Sequence, residues 1–139
     1  CAIITVNTAP YGAGCGIMLY SSPYLIHTTR QLNTAAAQGG GLYCDKSLPK
    51  LVNCLISANK STTGTGGAVY NWFSTPKYIN CTIADNVSSI TKAPDPPATF
   101  TGGIANYGGT TLVIGNTIVF NNTTIYTGDN HAELYNDTE

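Results

Sequence analysis

The chain has 139 residues, enough for one domain with a buried core, and 42% of them are apolar, against six Lys plus Arg and seven Asp plus Glu. Without clustered cations there is no counterion release to exploit, so nucleic acid and anionic membrane faces are not expected as partners. No apolar run reaches the roughly eighteen residues of a membrane span, and no charged n-region precedes an apolar h-region, so neither a transmembrane segment nor a signal peptide is expected.

The chain starts at Cys1 without an initiator Met. It therefore reads as a processed chain or as part of a longer one, with export and cleavage the simplest route to such a start. From that end, "CAIITVN" (residues 1 to 7) matches "NCLISAN" (53 to 59), so a half-coil is predicted over 1–14. Coils follow over 15–38, 39–65, 66–101 and 102–130, and a second half-coil over 131–139, all within one domain, 1–139. Pro23, Pro49 and Pro76 mark the period, 26 and then 27 residues apart. Four positions after each stands His27, Asn53 or Asn80, and ten after each stands Asn33, Asn59 or Asn86. The next match, Asn121, lies 35 after Asn86, and the excess falls in "SSITKAPDPPATF", where Pro94, Pro96 and Pro97 mark an inserted loop.

Helix formers are sparse, Thr, Ile and Val abound, and Gly, Pro and Asn break every unit at the same points. A strand period of two places Val52, Cys54 and Ile56 on one face, likewise Ile79, Cys81 and Ile83, and Ile114, Asn116 and Ile118. A unit of about three short strands cannot bury its apolar face alone, and stacking units about 4.8 Å apart builds a continuous interior. The expectation is an all-β, parallel β-solenoid of about five coils. Identical residues then stack: Asn7, Asn33, Asn59, Asn86 and Asn121 as an amide ladder at left-handed turns, and Tyr43, Tyr70 and Tyr135 as a second column, followed by Cys44, Asn71 and Asn136. Arg30 falls where Ile56, Ile83 and Ile118 point inward, so that coil either bulges or slips in register.

"GGGLY", "GGAVY" and "GGIAN", each followed by a segment such as "ISAN", "IADN" or "IVFNN", resemble the right-handed parallel β-helix repeats of secreted bacterial surface proteins. The nearest pattern is that of polymorphic outer membrane protein repeats. The resemblance covers roughly residues 14 to 136. It implies a right-handed β-helix and is compatible with adhesins, surface-layer-like proteins and polysaccharide-cleaving enzymes alike.

No stretch reads as a cap, and "HAELYNDTE" matches the first half of a repeat where "CAIITVN" matches the second. A following subunit would place its Asn7 25 positions after Asn121, close to the internal step, although about five residues are missing between Tyr135 and that Asn7. A head-to-tail homopolymer is expected, with the junction made by Cys1, Ala2, Ile3, Ile4 and Asn7 against Glu133, Leu134, Tyr135 and Asn136. The equal alternative is a segment of a longer solenoid, such as an adhesin passenger.

Asp45, Asp85, Asp95, Asp129 and Asp137 occupy different repeat positions, so the converging carboxylates of a lyase or hydrolase, or of a metal site, are not expected. Asp45 with Lys46 is the nearest approach to a catalytic pair and reads better as a solvated turn. His27 reads as a turn residue and His131 as a coil start; no cofactor or metal is expected. Cys54 and Cys81 stack within disulfide range, as a bond or as two buried thiols, and with five cysteines one stays unpaired in an oxidising compartment or pairs between chains. Asn59, Asn80, Asn86, Asn121, Asn122 and Asn136 stand in Asn-X-Ser/Thr sequons. Trp72 and Phe73 are candidates for an external contact with glycan or a neighbouring subunit. The whole reads as a non-enzymatic, secreted or cell-surface solenoid subunit forming a filament, with a carbohydrate-binding or polysaccharide-cleaving domain as the alternative.

Overall fold

A computed structural model describes residues 2–89, 101–125 and 133–136. Cys1, the prolines of the inserted loop, Asp95, Asp129, His131 and Asp137 lie outside the described residues. Among the described residues there is no helix, and short strands follow one another to the end. The first turn runs through β1 (Ala2–Thr5), β2 (Thr8–Ala9), β3 (Gly16–Met18) and β4 (Tyr24–Ile26), the second through β5 (Thr28–Gln31), β6 (Thr34–Ala35), β7 (Leu42–Asp45) and β8 (Lys50–Val52). The third holds β9 (Leu55–Ser57), β10 (Lys60–Ser61), β11 (Val69–Trp72) and β12 (Lys77–Ile79); the fourth, β13 (Thr82–Ala84), β14 (Val87–Ser88), β15 (Ile104–Tyr107) and β16 (Val113–Gly115). β17 (Ile118–Phe120), β18 (Thr123–Thr124) and β19 (Leu134–Asn136) begin a further turn.

Every fourth strand pairs in parallel, giving a first sheet β1-β5-β9-β13-β17, a second β2-β6-β10-β14-β18, a third β3-β7-β11-β15-β19 and a fourth β4-β8-β12-β16. The fold is a parallel β-solenoid of about four turns. Its corners are columns of left-handed residues. Val6, Leu32, Ala58, Asp85 and Asn121 turn the chain from the first sheet to the second; Leu19, Lys46, Phe73 and Gly108 turn it from the third to the fourth. His27, Asn53, Asn80 and Asn116 turn it from the fourth to the first, and Asn53 Nδ2 meets His27 Nε2 at 3.0 Å. Asn is suited to this conformation.

These corners reset the alternation, and that corrects the face assignments. Left-handed Asn53 and Asn80 separate Val52 from Cys54 and Ile79 from Cys81. Cys54, Ile56, Cys81 and Ile83 are buried, while Val52 and Ile79 are only half-buried on the fourth sheet, whose inward residues are Leu51 and Tyr78. The inward column of the first sheet is Ile4, Arg30, Ile56, Ile83 and Val119, not Ile118, which pairs with Thr82 and is exposed.

Arg30 neither bulges nor slips. It pairs with Ile4 below and Ile56 above, and only 1% of it is exposed. Its long stem fills the aliphatic layer, and Nη1 donates to Thr28 Oγ1 at 2.8 Å. Leu42, Val69 and Ile104 complete the interior from the third sheet.

Candidate functional site

The most ordered polar feature is the amide ladder between the first and second sheets. Asn7, Asn33, Asn59 and Asn86 stack, each donating both its backbone N–H and Nδ2 to Oδ1 of the next, at 2.9–3.1 Å. The fifth rung is Asn122, not Asn121: Asn86 N and Nδ2 reach Asn122 Oδ1 at 3.1 and 2.8 Å. Asn121 is instead the left-handed residue before it, exposed, and bonds Asp85. The shift arises at Gly108–Gly109, both at positive φ, where the step between coils grows from 35 residues at Asn71–Asn106 to 36 at Ser74–Thr110. None of the stacked asparagines is itself left-handed; that burden falls on the residue preceding each. Their amides also hold the backbone of the previous turn, Asn59 Nδ2 donating to Arg30 O and Asn122 Nδ2 to Ile83 O.

Glu133 ends the ladder. Its carboxylate accepts from Asn122 N at 3.2 Å and from Asn122 Nδ2 at 2.7 Å, in the place a sixth asparagine would take. Nothing in the repeat spacing marks Glu133 for this position, because it reaches there from the entrance of β19.

Among the described residues, no strand pairs beyond the ladder's two ends. β1 to β4 form one terminal turn and β16 to β19 the other. Among the described residues, the large exposed apolar side chains concentrate there: Ile3, Val6, Met18, Leu19, Tyr20 and Tyr24 at one end, Val113, Ile114, Ile118, Phe120 and Ile125 at the other. Ala2, Ile3, Ile4 and Asn7 thus occupy the first edge, and Glu133, Leu134 and Tyr135 the opposite one, with Asn136 placed by its backbone register against Asn106. Among the described residues the fourth sheet has one strand fewer than the others, and a cleft of ≈ 460 Å³ at that end is lined by Thr110, Thr111, Leu112, Ile114 and Leu134.

The third sheet carries an aromatic column that spacing only partly foretold. Tyr11, Tyr43, Tyr70, Tyr107 and Tyr135 run along it with ring centroids 5.1–5.6 Å apart. Ala105 holds the backbone position between Tyr70 and Tyr135, and the ring of Tyr107, two residues on, fills the gap. Cys44, Asn71 and Asn106 stack behind them, and Asn71 Nδ2 donates to Asn106 Oδ1 at 2.7 Å. Burial raises the pKa of Tyr70 and, with Asp45 adding, that of Tyr43. Trp72 and Phe73 lie on the outer surface, 36% and 54% exposed, edge to face at 5.0 Å. Phe73 borders a shallow groove of ≈ 400 Å³ with Tyr20, Lys46, Ser47 and Leu48.

Three sequons are closed by the fold. Asn59, Asn86 and Asn122 are buried rungs whose Nδ2 is already bonded, so a glycan there is incompatible with the folded coil. Asn80 and Asn121 are exposed corners. Asp45 ends β7 and Lys46 follows it at a left-handed corner, and the described residues contain no group of three or more His, Cys, Asp or Glu able to hold a metal ion. Cys54 and Cys81 are neighbours in adjacent coils and both are thiols.

Fold and edges together define a parallel β-solenoid whose terminal turns, among the described residues, have no further strand paired on their outer side. Comparison of the chain with protein-family models, curated proteins and solved structures returns no match.

Proposed function

We propose that the protein is a structural solenoid element that stacks head-to-tail, one chain's β1 to β3 continuing another's β17 to β19. The carrying observation is that, among the described residues, each end offers unpaired strand edges and exposed aliphatic side chains. Asn7 Oδ1, at one end, is the acceptor that Asn122 requires at the other. Heterologous contacts of this kind do not close on themselves and therefore propagate as filaments. In such a junction Glu133 swings aside and yields the Asn122 donors to the incoming Asn7. The likeness of the Gly-Gly and Asn motifs to polymorphic outer membrane protein repeats favours an extracellular, non-enzymatic setting, as a fibre or as part of an adhesin. Electron microscopy of the purified protein should display filaments with an axial repeat of about five coil spacings, roughly 24 Å at 4.8 Å per coil. Dispersed particles at every concentration and salt tried would overturn the reading.

A second reading has its own observation. Trp72 and Phe73 stand beside the groove at the third corner, and exposed rings of this kind stack on sugar faces. Binding to a polysaccharide array that is lost in Trp72→Ala supports this glycan contact; an array without a hit removes it.

A further inference from the structure

The buried guanidinium of Arg30 poses a problem of charge. Arginine cannot shed its proton in a protein, and an uncompensated buried cation is destabilising by several kcal/mol. Its Nε has no partner, its Nη1 hydrogen bond goes to the neutral hydroxyl of Thr28, and no carboxylate pairs with it among the described residues. Its charge acts to lower the pKa of Cys44, Cys54 and Tyr78. Cys44 and Tyr78 are held neutral, chiefly by burial.

Cys54 differs because of the column it stands in. Thr28, Cys54, Cys81 and Thr117 lie in register at the entrance of the first sheet. Thr28 Oγ1 accepts from Arg30 at 2.8 Å, which leaves its own proton for Cys54 Sγ at 3.2 Å. On the far side stands Cys81, next in the column, its Sγ 3.4 and 3.5 Å from the carbonyl oxygens of Ile79 and Leu51. The neighbouring Cys81 thiol above all, then the Thr28 hydroxyl and the Arg30 charge, outweigh burial and draw the Cys54 pKa downward. Cys81 moves the opposite way. Cys54 Sγ also lies 3.3 and 3.4 Å from the carbonyl oxygens of Val52 and Leu25, to which the protonated thiol donates. Of the two sulfurs, Cys54 is the one joined to the guanidinium, through the Thr28 hydroxyl.

We propose that Cys54 is the thiolate counter-charge of Arg30, and that with Cys81 it forms a built-in oxidation site that a peroxide converts to a disulfide between adjacent coils. The Cys54 thiolate attacks one peroxide oxygen, the O–O bond breaks, and water leaves after taking up a proton, giving the sulfenic acid. The Cys81 sulfur then attacks the Cys54 sulfur, forming S–S and expelling the hydroxyl, which departs as a second water with the Cys81 proton. Two thiols lose two electrons and one peroxide is reduced to two waters. The oxidant need be no larger than a water-sized peroxide, which suits a pair that is almost wholly buried.

The test uses the intact, reduced protein. Treatment with one equivalent of hydrogen peroxide, alkylation in denaturant and tryptic mapping should join the peptide Leu51–Lys60 to Tyr78–Lys92, with Cys15 and Cys44 alkylated. Arg30→Met and Thr28→Val should slow the crosslink at least tenfold. Independently of any variant, absorbance at 240 nm should titrate one thiolate of the folded wild type well below pH 7. Oxidation falling first on Cys15, an unchanged rate in both variants, or no thiolate below pH 8 would each overturn the proposal.

Discussion

Replacing Asn59 by Ala tests the ladder at its middle rung. The Asn59 side chain accepts two hydrogen bonds on Oδ1, from Asn33 N at 3.1 Å and Asn33 Nδ2 at 2.9 Å, and donates two, to Arg30 O and Asn86 Oδ1, both at 3.0 Å. Truncation leaves two buried donors of Asn33 stranded, whereas Asn86 Oδ1 keeps the backbone N–H of residue 59. At about 1–3 kcal/mol for each orphaned buried group, with some relaxation, the expected loss is about 3–4 kcal/mol. Asn7→Ala is the internal control. Asn7 is exposed, and Asn33 Oδ1 retains its bond from the backbone of residue 7, so a loss of about 0.5–1 kcal/mol is expected. Urea unfolding followed both by Trp72 fluorescence and by circular dichroism measures the two, coincidence of the probes testing whether the solenoid unfolds as one unit. A loss at Asn59 no larger than that at Asn7 would refute the claim that buried rungs fasten the coils.

Expression in a glycosylating host should add glycan at Asn80 or Asn121 but not at Asn59, Asn86 or Asn122, as peptide mass spectrometry reads directly; occupancy at Asn59 in folded protein would contradict the ladder. Gly67→Ala should prevent folding or lower Tm by well over ten degrees, because its Cβ would stand 2.5–2.6 Å from the carbonyls of Val87 and Gly102, whereas Gly115→Ala meets nothing within 4 Å and should be near neutral. For the reduced protein, a Cys54 pKa lowered from 9.0 to about 5 means the unfolded chain binds the extra proton, so stability rises from pH 5 toward pH 9 and is lost as pH falls through 5. Arg30→Met should flatten that rise in a pH series of urea midpoints; above pH 9 the raised Cys81 pKa opposes it in both proteins. Glu133→Ala should increase end-to-end association in sedimentation velocity, by freeing the Asn122 donors for a neighbour's Asn7; unchanged or weaker association would count against stacking through the ladder.

The repeat was legible because Asn, Gly and Pro recur where the backbone turns, and the backbone tolerates few other residues there. Faces were harder to assign. A left-handed corner such as Asn53 shifts the alternation by one, so Val52 and Cys54, two apart, do not share a side. Asn121 and Asn122 offered two equal candidates for one rung, and only the extra residue at Gly108–Gly109 decides between them. The role of Tyr107 was hidden because a ring can lean across two positions to fill a place that its backbone does not occupy. Arg30 resisted reading for a different reason: its charge is answered by Thr28 and Cys54, whose importance emerges only once the coils are stacked.

The ladder also carries a direction. Every rung gives its backbone N–H and one Nδ2 proton toward the β19 end and turns its amide oxygen toward the β1 end, so the column begins on the Asn7 acceptor and finishes on Asn122 donors capped by Glu133. Two β1 ends brought face to face would set oxygen against oxygen, and two β19 ends carboxylate against carboxylate. Twofold dimers through the tips are thereby disfavoured. The molecule is an arrow, and whatever joins it end-on must point the same way.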